Sequence, residues 1–251
     1  PTRRDRALTW LRDVVYAHRH PCEAIPRCYA TAERDGISVS KYLWWSQPGL
    51  MNHGLCFQES SLPEPSEDRP ITLAVWEGGT AAVSHHLDWI RETCAQGRNV
   101  WVLDISGTGE LEPHPINARP LHGLFGTVYR LADDLIWLND SLVALRVYDV
   151  LRALEMIPGL DGNSATDIHL HAHDRHGIYA RLAAVLDNRV QQIESDHAFG
   201  SFDAWIRPRC YNEQDTKEFI LPGVLQFFDL PDIDRWLGSR LKQEIPTSHE
   251  P

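Results

Sequence analysis

Ile168-His169-Leu170-His171-Ala172-His173-Asp174-Arg175-His176-Gly177 begins as a strand and ends as a turn. Ile168, Leu170 and Ala172 alternate with three histidines, the period of two that sends successive side chains to opposite faces of a sheet. A helix built from Ala and Leu follows over Ile178 to Leu186. A strand that bends sharply into a helix is one repeat of a parallel sheet, because parallel neighbours need a crossover and a helix is the usual one.

The same alternation continues outward from this stretch. Upstream, Ile71 to Trp76 reads as a buried strand. Glu77-Gly78-Gly79-Thr80 is a flexible turn, and Ser84 caps a helix with Leu87, Ile90 and Cys94 on one face. Asn99 to Ile105 is the next strand, left by Ser106-Gly107-Thr108-Gly109-Glu110. An excursion from Leu111 to Asn139 carries an aromatic helical segment, Phe125 to Trp137, which reads as a cover over the carboxyl edge of the sheet. From Asp140 or Ser141 a long helix presents Val143, Val147, Val150, Leu151 and Leu154 at the 3.6 period and stops near Pro158-Gly159.

Downstream, Arg189 to Ser195 is a weak strand and Phe202 to Tyr211 is mixed. Leu221 to Leu241 reads as a Pro-Gly turn, an aromatic loop and a short amphipathic helix. Towards the start, Gly36 to Trp45 and Leu50 to Gln58 are joined by Ser46-Gln47-Pro48-Gly49 as an antiparallel hairpin, and Glu59 to Pro70 links it to the body. The expected fold is therefore a single α/β domain over 1–251. It has a hairpin and linker at 36–70, a mostly parallel core with helices on both faces at 71–195, and an irregular, helical tail at 196–251.

Composition narrows the partners. The chain carries 24 Lys+Arg against 35 Asp+Glu, a formal charge of -11, which repels phosphate backbones and anionic lipid and argues against nucleic acid or membrane partners. Apolar runs stop well short of the ~20 residues a bilayer crossing needs, so a soluble protein is expected. Pro1 to Arg6 has neither an initiator Met nor an apolar leader core; it reads as a processed end and leaves the compartment open, the cytoplasm slightly favoured. Five cysteines at no metal-type spacing read as small hydrophobes, with Cys22 and Cys28 near enough in sequence to pair in an oxidising compartment.

The order hairpin, strand, Gly-Gly turn, helix, strand, Gly-rich turn, long helix, strand, sharp turn, Ala-rich helix resembles the α/β-hydrolase superfamily. Within it the chain looks closest to bacterial acetyl-xylan-esterase-like and dienelactone-hydrolase-like proteins. The residues that carry the likeness are Val102-Leu103-Asp104-Ile105-Ser106-Gly107-Thr108-Gly109-Glu110, similar to a "VxDxRGxGE" segment, and Gly177-Ile178-Tyr179-Ala180 with Ala183-Ala184-Val185-Leu186-Asp187. Leu221-Pro222-Gly223-Val224-Leu225 and Phe228-Asp229-Leu230-Pro231-Asp232 resemble the segment before the last strands. The resemblance implies a nucleophile elbow at 172–177, where a Gly-x-Ser-x-Gly turn lifts a serine above the sheet.

Asp174 stands where that serine would be, and Ala172 and His176 replace two of the small residues. Three readings stay open. Asp174 is a carboxylate nucleophile of the dehalogenase and epoxide-hydrolase kind; or a relic in a domain without serine chemistry; or an ordinary helix N-cap. The resemblance places the catalytic His and its acid downstream, and the chain ends about where those strands would begin. His249 reads as a solvated terminal residue, while Glu194 or Asp196 with His197 are candidates for an acid and a base. The implied oxyanion donors are the backbone N-H of Arg175 and that of Gly79 or Thr80.

His169, His171 and His173 share one strand face, with His176 just past the turn, and such imidazoles are alternative ligands for Zn or another transition metal, joined by Asp104, Glu110 or Asp196. No cofactor is otherwise indicated: Gly107-x-Gly109 lacks the third glycine of a dinucleotide fingerprint. Trp44, Trp45, Trp76 and Trp137 fit either sugar stacking or the core. The expectation is a divergent α/β-hydrolase-like protein of carbohydrate-esterase ancestry, impaired in catalysis or completed by another chain. It acts, if active, on a small-molecule or carbohydrate ester, and forms a homodimer or hetero-complex through Leu221 to Leu241. The alternatives are an ester, epoxide or carbon–halogen hydrolase using Asp174, and a metal-binding protein using the histidines.

Overall fold

A computed structural model describes residues 1–60, 69–162, 166–196, 200–208 and 217–242. Most of the 59–70 linker, His197, Cys210 and His249 lie outside the described residues, as does the side chain of Asp196. The elements are α1 (Arg3–Tyr16), β1 (Arg27–Arg34), β2 (Ile37–Gln47), β3 (Leu50–Glu59), β4 (Ile71–Val75), α2 (Leu87–Ala95), β5 (Asn99–Asp104), α3 (Thr127–Trp137), α4 (Leu142–Met156), β6 (Ile168–His173), α5 (Gly177–Leu186), β7 (Val190–Asp196), α6 (Phe202–Ile206), α7 (Leu230–Leu237) and β8 (Leu241–Lys242).

The strands form one sheet in the order β1-β2-β3-β5-β4-β6-β7-β8. β1, β2 and β3 pair antiparallel, β3 pairs antiparallel with β5, and every pairing from β5 to β8 is parallel. The hairpin expected at 36–58 is β2 and β3, turned at Gly49 with φ +82°. Because β4 lies between β5 and β6, the chain leaves it first to one side and later to the other. A crevice opens at such a switch point beyond the strand carboxyl ends.

Alternation sorts the side chains. Leu73, Trp101, Leu103, Ile168, Leu170 and Ile193 face a large core closed by α1, α4, α5 and α7, whereas Ala74, Val100, Val102 and Phe57 face a smaller one closed by α2. Helices thus cover both faces, as the sequence implies. Ser141 caps α4 by accepting from the Ala144 amide, and Asp229 forms a capping box with Asp232 on α7.

Three elements depart from the sequence reading: α1, β1, and the two-residue β8, which pairs parallel with β7 where an irregular, helical tail is expected. α1 is set by a capping box between Thr2 and Asp5, and its Ala7, Leu11 and Val15, four apart, are fully buried. Tyr16 meets Tyr148 of α4 edge to face at 5.4 Å, and Arg19 forks onto Asp140 at 2.7 and 2.8 Å. β1 is exposed along its whole length, so it has no apolar alternation to betray it; it adds to the sheet edge through a turn at Asp35 and Gly36, both at positive φ.

If α1 is part of the core, Leu11→Ala should lower unfolding stability by about 2–5 kcal/mol in urea titration, the usual cost of emptying a fully buried leucine site. A loss below ~0.5 kcal/mol, the size of an ordinary surface change, would detach α1 from the core.

Candidate functional site

At the switch point a cleft of about 560 Å³ opens. Its wall comes from four loops: Glu77 and Gly78 after β4, Thr108 and Glu112 after β5, Asp174, Arg175 and His176 after β6, and Glu218 with Phe219. Pro120 to Gly123 of the excursion close the remaining side, and α3 packs beside α4 through Val128, Ala132 and Leu142.

Asp174 stands at the carboxyl end of β6 and lines the cleft. β6 ends at His173, Asp174 takes φ +52°, and a single 3-10 turn leads into α5 at Gly177. Left-handed backbone is uncommon outside glycine, and Asp is among the residues that tolerate it. The carboxylate is half exposed, with Oδ2 3.0 Å from His173 Nδ1. Neither the 3-10 turn nor α5 has a side-chain cap bond, so Asp174 does not serve as an N-cap. His176, in place of a small residue, turns inward instead: it is buried, meets Tyr179 edge to face at 5.5 Å, and leaves its Nε2 without a partner. Burial, with the Arg146 charge adding to it, pushes its pKa down to about 3.

The other expected residues are not gathered there. Arg175 does line the cleft, with its guanidinium 5.8 Å above the Phe219 ring. The Gly79 amide donates to Trp76 O at 3.1 Å and the Thr80 amide to Asp104 Oδ1 at 2.6 Å, so the two alternatives for the second oxyanion donor are engaged within the protein. Glu194 sits on the opposite face of the sheet from Ile193. It accepts from Gln192 at 2.8 Å, lies 3.6 Å from His171 Nδ1, and lines a separate hollow of about 400 Å³ with His169. The structure therefore does not bring Glu194 to Asp174, and His197 is outside the described residues.

The histidine face corrects the metal reading. Residues two apart on a strand stand ~6.6 Å from one another, so each imidazole finds its own partner. His169 Nε2 lies 3.0 Å from Asp167, His171 stacks on Trp89 at 4.0 Å, and His173 approaches His86 at 5.7 Å. His176 faces the cleft instead. Among the described residues no group of three or more His, Cys, Asp or Glu is arranged to hold a metal ion. The tryptophans divide in the same way: Trp44 and Trp76 are buried, while Trp137 is 85% exposed and does not line the cleft.

Two constellations had no signal in the sequence, because their members lie far apart along it. Under the cleft, fully buried Arg146 donates to Glu218 and to the Tyr179 hydroxyl, both at 2.8 Å. Glu218 also meets His122 Nδ1 at 2.9 Å, and His122 Nε2 is 3.6 Å from Glu112. Burial alone would raise the Glu218 carboxyl, but the His122 hydrogen bond and the Arg146 charge outweigh it and hold the pKa at about 2. The same hydrogen bond raises His122.

Beside the cleft, the fully buried Asp104 carboxylate accepts from Thr80 N, Thr80 Oγ1 at 2.7 Å and Glu110 N at 3.1 Å, and pairs with His53 Nδ1 at 2.6 Å. Gly79 and Gly109 are at positive φ against it, and a Cβ on either would overlap the carboxylate.

No protein-family model and no curated protein matches the chain. Solved structures do. A Bacteroides fragilis protein provisionally assigned as an acetyl xylan esterase superposes with TM-score 0.74 at 13% identity, over 95% of this chain and 66% of its own. Acetyl xylan esterase 1 from Thermoanaerobacterium gives 0.58 at 14%, over 97% and 76%. The acetyl xylan esterase of Paenibacillus sp. R4 gives 0.54 at 16%, over 80% and 61%. The chain is thus similar in structure to esterases of the α/β-hydrolase fold, and spans just under two thirds of the first and last of these.

A buried neutral His176 carries a pH signature. Its folded pKa lies below the unfolded ~6.5, so the stability linked to its neutrality is complete above pH 6.5 and is lost as pH falls towards 3. His176→Gln, which cannot ionise, should gain about 2 kcal/mol relative to wild type between pH 7 and pH 4.5 in chemical denaturation. A difference that does not change with pH would show that the imidazole is not buried.

Proposed function

We propose that this chain is a divergent relative of carbohydrate esterases whose cleft binds a polar, sugar-sized ester or its parent sugar, and which has lost serine-type acyl transfer. One observation carries the reading: the elbow geometry is kept while its half-exposed side chain is the Asp174 carboxylate. Carboxylate attack on an ester carbonyl would yield a mixed anhydride, which is more reactive than the ester consumed, so the enzyme would gain nothing as an acyl acceptor. The engaged Gly79 and Thr80 amides support the same conclusion, since loss of one oxyanion donor costs ~10²–10³ in kcat. The carbohydrate class is suggested by the acetyl xylan esterases of like fold and by a wall that mixes carboxylates, Arg175 and Phe219.

A second reading keeps the chemistry. Carboxylates are competent nucleophiles towards saturated carbon, as in epoxide and carbon–halogen hydrolysis, and His122 with Glu218 is an imidazole–carboxylate pair in the same cleft. His122 Nε2 faces Glu112, however, and a raised imidazole holds its proton, so the pair fits a clasp between the excursion and the 217–219 turn better than a base.

Asp174→Asn separates the two, because Asn tolerates positive φ and removes only the charge. For the wild type and the variant, hydrolysis of p-nitrophenyl acetate and of an aryl epoxide should agree within about twofold, while calorimetric affinity for acetylated xylo-oligosaccharide drops ~10-fold, the size of one lost charged hydrogen bond. Turnover that disappears in the variant would put the second reading ahead. Wild-type protein that binds no such sugar would remove the first.

A further inference from the structure

Outside the cleft, three side chains stand in line. Tyr29 Oη is 3.0 Å from His53 Nε2, and His53 Nδ1 is 2.6 Å from Asp104 Oδ2. Asp104 is wholly buried and already accepts from two amides and a hydroxyl, so it enters as a carboxylate acceptor. In the neutral imidazole whose Nδ1 proton faces Asp104, Nε2 keeps a lone pair and the tyrosine hydroxyl is its donor. His53 is 1% exposed and held on both nitrogens, whereas Tyr29 is 52% exposed. Tyr29 reaches it by a local irregularity: in the β1–β2 pairing Cys28 opposes Tyr42 and Ala30 opposes Lys41, so Tyr29 is the extra, bulged residue. A bulge re-aims a side chain, and here it carries the phenol past β2 onto β3.

We propose that Tyr29 is a nucleophile activated by His53 and oriented through Asp104, and that it captures acyl groups from activated acyl donors. The order hydroxyl, imidazole, buried carboxylate is the functional half of an acyl-transfer triad. Burial together with the Glu110 and Asp104 charges holds the phenol above its ordinary pKa, so it is neutral and needs a base at the moment of attack. In the step, the phenolic oxygen bonds to the acyl carbon while His53 Nε2 takes its proton. The bond from the acyl carbon to the aryloxide of the activated ester then breaks, and the proton passes to that departing aryloxide, leaving an acyl-tyrosine and the donor's phenol. Asp104 stabilises the transient imidazolium, the role a buried carboxylate has behind a triad histidine. Neither Tyr29 nor His53 lines the 560 Å³ cleft, so the proposal does not depend on the reading of Asp174.

Tyr16, 43% exposed, is a built-in control of similar accessibility. Full chain treated with p-nitrophenyl acetate and mapped by peptide mass spectrometry should acetylate Tyr29 at least ~10-fold faster than Tyr16, a conservative share of the ~10²–10⁴ a positioned base supplies. His53→Gln, shown folded by circular dichroism, should bring Tyr29 down to the Tyr16 rate. Equal rates at Tyr29 and Tyr16 in the wild type would overturn the proposal whether or not the variant folds. So would a Tyr29 excess that survives in His53→Gln.

Discussion

The mouth of this sheet depends on the buried Asp104 carboxylate. A lone ionised carboxylate is costly to bury, and here the cost is offset by four partners drawn from three segments: the turn after β4, the turn after β5, and His53 on β3. Those two turns frame one side of the cleft through Gly78 and Thr108. Their glycines follow from the same constraint, since only residues without a Cβ can lie against the carboxylate at Gly79 and Gly109. The bond that fixes Thr80 also withdraws its amide from any ligand. One interaction thus shapes the cleft wall and withdraws one of its amides from solvent.

The elbow shows the same division. The left-handed backbone at Asp174 makes the tight join of β6 to α5. Below it, Arg146, Glu218 and His122 form an ionic chain linking α4, the 217–219 turn and the excursion. Lys217 extends it to Asp133 and sits over the Tyr129 ring on α3, so the cover of the cleft is tied down at two points. Such a chain is built for shape, with the Glu218 carboxylate held by the Arg146 guanidinium on one oxygen and the His122 ring on the other.

What could be read in the sequence was whatever has a local period or a turn residue. β2 and β3 with Gly49, β4 and β5 as apolar runs, the 3.6-residue face of α4 and the β6-to-α5 bend all fall close to where the residues place them. α1 carried its signal in Thr2, Asp5, Ala7, Leu11 and Val15, but charged residues between them hid it; β1, exposed throughout, carried none. The histidine face is accounted for by its neighbours: His171 stacks on Trp89, His173 meets His86 edge-on, and His169 lines a second hollow. Of the site, Asp174 and Arg175 were legible from the elbow pattern. His122 with Glu218, and His53 with Asp104, were not: they are 96 and 51 positions apart, and only the fold sets their distance.

The most direct test of Asp104 as the organising group is amide hydrogen exchange, resolved by NMR, at Thr80 and Glu110. Both amides lie in short 3-10 turns next to a solvent-filled cleft, where protection would be low without the carboxylate. They should exchange as slowly as amides in the middle of β4 and β5. Exchange at the rate of open loops would contradict the account, because it would mean that the carboxylate does not hold the two turns.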